Sequence, residues 1–388
     1  MKKIMIANRG EIASRIIRTC KKLGIRTVAI YSVADQSLAY VNEADEACLI
    51  GESPAKDSYL AMEKILEMAK KHKVDAVHPG YGFLAENGDF AERVLQSGLC
   101  FIGPKPGTIR LMGEKMAARD IMGKAGVPVL PSSKGAVESP EEAKKAAGEI
   151  GYPVMLKASS GGGGIGLALC GNEKEIAPAF AKVKSASEKF FGKGAIYIEK
   201  YVDNARHIEV QVFGDSSGNV IHMYERDCSV QRRNQKVIEE SPSPSVGEEL
   251  REKICQTAVK AARTVNYENA GTVEFLVDEK GNFYFLEMNT RLQVEHGVTE
   301  AITGIDMVEW QIRVARGEKL PVRQEQISRL GHSVEFRIYA EHPKSFIPSP
   351  GKLSSLKWGK GDVRIDAGYR EGDMITPYYD PLVAKCIF

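Results

Sequence analysis

The sequence predicts an α/β chain that opens on a doubly wound parallel sheet and continues into a larger α+β region of antiparallel hairpins. Three observations carry that expectation. Through the first hundred or so residues, short apolar runs alternate with amphipathic helical stretches, the pattern of a parallel sheet covered on both faces. A glycine-rich stretch over residues 159–166 lies between two runs that read as strands. Residues 272–277 and 282–287 then flank Asp278-Glu-Lys-Gly281, which reads as a β-hairpin.

In chain order, residues 3–7 are a short buried strand. Residues 11–23 are a helix with Ile12, Ile16, Ile17 and Leu23 on its apolar face, and Gly24 stands where a left-handed C-terminal residue belongs. Residues 27–31 are the next strand. A helix over residues 57–71 is expected to turn Leu60, Ile65 and Leu66 inward. Residues 76–78 and 100–102 are further strands, with a helix near residues 89–96 between them. The first strand-to-helix turn is Asn8-Arg-Gly-Glu11, not a glycine fingerprint, so a dinucleotide site is rejected there. The loop from His78 to Asn87 reads by composition as a structural turn.

Residues 112–115 open a helix. Residues 154–158 form a strand in which Lys157 interrupts apolar neighbours, and residues 167–170 form a second strand. The glycines therefore tip a hairpin that can fold over a triphosphate, their backbone N–H groups free to approach an anion. A P-loop would need Lys then Ser or Thr where Leu167 follows, and no HRD or DFG element of a kinase is present. Residues 195–202 are a strand, and residues 212–215 and 219–222 a hairpin. Ser245-Val-Gly-Glu248 reads as a capping box for a helix with Leu250, Ile254 and Ala258 as its core stripe. Residues 331–341 and 384–388 are the last strands. Cys228, alone in its surroundings, reads as packing.

The densest chemistry follows the second hairpin. Along an extended segment, Glu287, Asn289, Arg291, Gln293 and Glu295 fall on one side, and Leu286, Met288, Thr290, Leu292 and Val294 on the other. A four-residue loop places Glu274 opposite Phe285, making it a diagonal neighbour of Glu287 roughly 7–8 Å away. Two carboxylates and Asn289 converging there suit Mg²⁺ beside substrate phosphates.

Composition narrows the classes. The chain has 388 residues, 43% hydrophobic and 27% charged, with a net charge of +2. That balance gives no reason to expect nucleic acid or a membrane as partner, and no apolar run approaches a membrane span. Seven scattered cysteines without a CxxC pair fit a reduced, cytoplasmic protein.

Glu274 with Glu287-Met-Asn289-Thr-Arg291-Leu-Gln293-Val-Glu295-His296 resembles the active-site strand of the biotin carboxylases, which are ATP-grasp enzymes. The resemblance runs from Asn8-Arg-Gly-Glu11 to Pro377-Tyr-Tyr-Asp380. It implies a pre-ATP-grasp domain over residues 1–113, an ATP-grasp domain over 114–320 with a lid near 130–203, and a truncated C-terminal domain over 331–388. It implies a ligase that carboxylates biotin through carboxyphosphate, with ATP, Mg²⁺ or Mn²⁺, bicarbonate and carrier-borne biotin. ATP positions by resemblance are Lys115, Lys157, Gly162, Gly163, Gly164, Gly166, Glu199, Lys200, Val202, His207, Gln231, Glu274 and Glu287. Metal positions are Glu274, Glu287 and Asn289. Arg291, Gln293, Val294 and Lys236 match bicarbonate positions, Glu295 the base, and Arg337 the group that stabilises charge on biotin. Implied partners are a biotin carboxyl carrier protein or domain, a carboxyltransferase subunit and a second copy of the chain.

Three positions depart from the family pattern: Ile165 where Arg is common, Asn234 where His is usual, and Gly297 where Pro is usual. Two other readings stand beside the active enzyme. One is a nucleotide-binding but silent scaffold of a carboxylase complex, and the other is an ATP-grasp ligase for another carboxylate.

Overall fold

The computed structural model of the chain describes residues 1–158, 166–191, 195–359 and 361–388, side chains excepted at 189–191. Its first sheet has five parallel strands in the order Glu46–Gly51, Arg26–Ser32, Lys3–Ile6, Ala76–His78, Cys100–Phe101. The three central strands are buried on both faces, so their side chains run apolar with little alternation, whereas the edge strand Glu46–Gly51 alternates and leaves Leu49 exposed. Gly24 ends the Gly10–Lys22 helix with φ +68°. Strand order reverses direction between Lys3–Ile6 and Ala76–His78, which creates a crevice at the carboxyl ends of those two strands.

A second sheet has eight strands, all antiparallel. They run Phe283–Asn289, Asn269–Val277, Arg206–Gly214, Val220–Arg232, Gln235–Ser241, Ser333–Tyr339, Leu382–Ile387, Arg364–Ala367. Strands from before residue 320 and after residue 331 thus share one sheet, joined where Gln235–Ser241 pairs with Ser333–Tyr339. The helices Lys115–Lys124 and Glu248–Thr264 contribute to the core beneath Val210, Val212, Val273 and Phe275. A separate three-stranded sheet, Leu167–Cys170, Val154–Ala158, Ile196–Lys200, carries the hairpin expected to act as a lid. Gly162, Gly163, Gly164 and Ile165 lie outside the described residues. Among the described residues no helix is long and apolar enough to cross a membrane.

Four local expectations change. The helix expected over 57–71 is a short turn at Ala55–Asp57 and then Met62–Lys71, so Leu60 precedes the helix and is exposed. Residues 112–115 straddle a break: one helix ends at Gly113 and the next begins at Lys115, with Glu114 extended between them. No capping box forms at Ser245. Its hydroxyl bonds Asp227 at 3.1 Å, Gly247 becomes the N-cap, and the helix starts at Glu248. Finally, the strand expected to continue to Glu295 stops at Asn289, and residues 290–295 turn away into a helix that begins at His296.

Candidate active site

The hairpin of Asn269–Val277 and Phe283–Asn289 carries a bulge between Glu274 and Phe275. The expected diagonal becomes a direct pair: Glu274 is the register partner of Glu287, and Thr272 that of Asn289. One extra residue on a strand shifts the register locally. Asn289 donates to Glu274 Oε1 at 2.8 Å, so three of the predicted metal-binding groups converge. Burial and the charge of Glu274 push the Glu287 carboxyl up. Lys115, 3.6 Å away, and His207 oppose that shift only in part. Two opposed carboxylates, one poorly compensated, fit a divalent cation.

Lys236 stands at the centre of the site. Its ammonium donates to Glu209 at 2.5 Å, Glu295 at 2.7 Å and Glu274 at 2.9 Å. Burial disfavours its charge, but the three carboxylates outweigh burial and raise its pKa well above the usual range. Glu274 is also paired to His207 at 3.0 Å, and that contact overcomes burial and raises the imidazole pKa. Glu295 receives Arg337 on its other oxygen at 2.9 Å. Burial would raise Glu295, yet Lys236, Arg337 and Arg226 hold it well below the usual carboxylate range, so it is ionised at neutral pH. Beneath this group lies Arg226, fully buried, donating to Glu209 at 2.5 Å.

The turn at residues 290–295 is what makes one site of these parts. Had the strand continued, Arg291, Gln293 and Glu295 would have marched away at about 3.3 Å per residue. Instead Glu86 accepts the Thr290 N–H at 3.0 Å and the Arg291 Nε at 2.8 Å, pinning the turn. Arg291 reaches Gln293 at 2.5 Å and Asn289 at 3.1 Å, while Gln293 returns to Glu274 at 3.3 Å. Lys385, fully buried on the last strand, holds the Val294 carbonyl at 2.6 Å.

A cavity of about 500 Å³ opens beside this turn, lined by Asn8, Tyr81, Arg291, Val294, Arg337 and Tyr379, among others. It sits at the switch point of the parallel sheet, where Asn8 donates to the carbonyls of Pro79 and Tyr81, both at 2.7 Å. The loop read as a structural turn therefore supplies a cavity wall and, through Glu86, the clamp on Arg291. Among the described residues, the buried polar atoms without a hydrogen-bond partner there include both carboxylate oxygens of Glu11 and two donors, Tyr81 Oη and Arg337 Nε. Both donors can bond a carbonyl oxygen entering the cavity.

Of the positions expected on the nucleotide side, Lys157 and Glu199 form a second cluster with Arg119. The helix Lys115–Lys124 presents Lys115 to Glu287 and, one turn on, Arg119 to Glu199. Lys157 also meets Glu199, at 2.5 Å. Lys200 turns away from that cluster to the carbonyls of Gly151 and Tyr152. Gln231 donates to the Cys228 carbonyl at 2.8 Å, and Val202 follows the end of its strand. Gly166, with φ +76°, closes the lid hairpin by accepting the Ala158 N–H at 2.9 Å. Asn234 has a local reason: with Arg233 it forms a two-residue hairpin turn, both residues at positive φ, where asparagine is favoured.

Sequence reasoning missed Glu86, Arg119, Glu209, Arg226, Glu239 and Lys385. Only Glu209 left a signal: His207, Glu209 and Gln211 alternate on one face of a strand, as the residues of the later hairpin do. Cys228 is fully buried, its thiol pushed well up by burial and neighbouring carboxylates, which suits packing and not nucleophilic attack.

Residues 1–109 match the family described as biotin carboxylase, N-terminal domain. Residues 114–323 match the carbamoyl-phosphate synthase L chain, ATP binding domain, and residues 335–388 the biotin carboxylase C-terminal domain. The biotin carboxylase of Halalkalibacterium halodurans is 57% identical over 387 residues, covering 100% of this chain and 86% of that protein. Among solved structures, the biotin carboxylase–β-γ-ATP complex from Campylobacter jejuni superimposes with a TM-score of 0.96 at 48% identity. It covers 100% of this chain and 86% of that one. The biotin carboxylase domain dimer of Hydrogenobacter thermophilus 2-oxoglutarate carboxylase was solved with MgADP, ADP and bicarbonate. It has a TM-score of 0.95 and 51% identity, covering 100% of this chain and 85% of that one.

Proposed function

The chain belongs to the biotin carboxylase family, and from that membership we propose how its own residues carry the reaction. The activity is the ATP- and bicarbonate-dependent carboxylation of biotin, the first half-reaction of biotin-dependent carboxylases. The observation that supports the assignment best is Glu295, a carboxylate held ionised between Lys236 and Arg337 at the edge of the switch-point cavity.

Bicarbonate is bound by Arg291, Gln293, the backbone of Val294 and Lys236. Glu295 takes its proton; a base does so from about 2.6–3.2 Å. The bicarbonate oxygen attacks the γ-phosphate, the bond to ADP breaks, and carboxyphosphate forms. Carboxyphosphate splits into CO₂ and phosphate, and the phosphate accepts the proton of the biotin ureido nitrogen. Arg337 stabilises the resulting enolate oxygen, with Tyr81 as a second donor, and the nitrogen bonds to CO₂. The unpartnered Tyr81 Oη and Arg337 Nε support placing the ureido carbonyl there. Glu274, Glu287 and Asn289 would hold Mg²⁺ or Mn²⁺, which screens phosphate charge when bound. Lys115 and Lys157 face the nucleotide phosphates, and the rest is positioning and charge stabilisation.

We also place the chain as the biotin carboxylase subunit of a carboxylase complex, working as a homodimer with a biotin carboxyl carrier and a carboxyltransferase. The dimer solved for the Hydrogenobacter thermophilus relative supports this. Seven free cysteines support a cytoplasmic location. The test is ADP release from Mg·ATP and bicarbonate with and without free biotin. Strong stimulation with carboxybiotin formed is the expected result. Full bicarbonate-dependent turnover by Glu295→Gln would remove Glu295 as the base.

A further inference from the structure

Two glutamates that the reaction above does not use lie behind its base. Glu239 on strand Gln235–Ser241 and Glu335 on strand Ser333–Tyr339 are register partners in the large sheet. Their side chains therefore leave the same face as neighbours. Both are fully buried. None of their four carboxylate oxygens has a hydrogen-bond partner among the described residues.

The cations nearby are already engaged. The Arg337 guanidinium lies 2.6 Å from Glu239 Oε1, but it donates to Glu295. Lys236, which also faces Glu239, is shared among Glu209, Glu274 and Glu295. The Cys228 thiol lies on the same side. Glu335 faces Lys385, which donates to the Val294 carbonyl and is shared with Glu11 and Asp366. The helix His296–Thr303 closes the remaining side. A Cβ at Gly297 would stand 3.0 Å from Glu335 Oε2, and burial together with Lys385 and Arg15 keeps His296 neutral.

Two adjacent buried carboxylates whose nearest cations, Arg337 and Lys385, are shared with Glu295 and with the Val294 carbonyl and Glu11 cannot both stay ionised. One shared proton turns one of them into a donor and leaves the other an acceptor. We propose that Glu239 and Glu335 hold a proton between them, and so leave the charge of Arg337 to Glu295 and to the biotin substrate. The second half of this rests on the role given to Arg337 above. Burial acts in the same direction on both groups, pushing Glu239 up to about 7 and Glu335 well above the usual carboxylate range. The two are positioning residues, acting through the guanidinium. When the pair loses its proton, a further negative charge stands beside Arg337 and competes with the substrate for it. Biotin binding then weakens as pH rises, while bicarbonate binding changes less.

Infrared difference spectra of the parent, Glu239→Gln and Glu335→Gln, taken between about pH 6 and about pH 9, test the shared proton. The expected result is a protonated-carboxyl C=O band in the parent that titrates away and is lost in each variant. A band that is absent, or unchanged in both variants, overturns the proposal. The biotin KM of the parent is expected to rise about tenfold per pH unit above the ionisation. In Glu239→Gln it should stay flat, and parallel profiles in the two proteins would overturn the link to Arg337. If Arg337→Met keeps the parent's biotin KM while the band persists, the role of Arg337 falls and the shared proton stands.

Discussion

Replacing Arg226 by methionine removes a fully buried cation while keeping much of its aliphatic volume. In the parent its guanidinium donates to Glu209 at 2.5 Å, Gln211 at 2.8 Å, Thr299 at 2.9 Å and Thr272 at 3.1 Å. At that separation and an effective dielectric near 20, the gross attraction to Glu209 is about 7 kcal/mol. The net loss is smaller. Breaking a buried pair by removing one partner costs about 3–5 kcal/mol, chiefly because the other charge is stranded. Lys236 remains 2.5 Å from Glu209, so the low end, about 3 kcal/mol, is expected here. Against a stability of about 5–15 kcal/mol this is a large fraction. In urea denaturation the midpoint should fall by about 1 M for a slope near 3 kcal/mol per M. Adding Glu209→Gln should restore much of the loss, since the stranded charge is then gone. A midpoint within about 0.3 M of the parent would refute the reasoning. So would a double variant less stable than Arg226→Met alone.

Three further outcomes follow from the site. Glu295→Gln should lower bicarbonate-dependent ADP release by about 10²–10⁴-fold, with Mg·ATP binding by calorimetry little changed. Glu86→Ala frees Arg291 and the Thr290 N–H, contacts of 2.8 and 3.0 Å. It should raise the bicarbonate KM about tenfold with a smaller change in kcat, as expected for about 1–2 kcal/mol of positioning. Glu11 and Glu239 are both raised from 4.5 to about 7, chiefly by burial. Their stabilising contribution is complete below the ordinary carboxylate pKa and is lost as pH rises through about 7. Melting temperature should therefore fall between about pH 5 and about pH 8 in the parent, and less in Glu11→Gln/Glu239→Gln. A parallel fall in both proteins would count against this origin.

The residues proposed to touch substrates were legible because they follow strand periodicity: Glu287, Asn289, Arg291, Gln293 and Glu295 announce themselves by alternation. The geometry that unites them was not, because it comes from two breaks in that periodicity. The bulge at Glu274 sets it directly opposite Glu287, and the strand ends at Asn289. A bulge leaves no residue-type signature here, and the turn after Asn289 is fixed by Glu86, about two hundred residues earlier in the chain. The cavity was legible in principle, since the strand-order reversal beside Asn8 predicts a crevice, but only once the pairing order was known. Buried charge was the least legible of all. Arg226, Glu239, Glu335 and Lys385 look like half-exposed strand residues in sequence, yet all are fully enclosed.

Their enclosure has a consequence for the chemistry. Arg291 and Gln293 carry their own hydrogen bonds, but the charge state of Glu295 is set by Lys236, Arg337 and Arg226, each of which is shared with another glutamate. A base held this far below the usual carboxylate range is always ionised at neutral pH, but by the same measure it accepts a proton weakly. In the proposed mechanism its strength would rise when the anion arrives, because a bicarbonate bound at Lys236 would compete for that ammonium and weaken one of the contacts that hold Glu295 down. On the proposed roles, the network would couple the arrival of bicarbonate to the basicity of Glu295, and the glutamates around it would determine how much charge is free to do so.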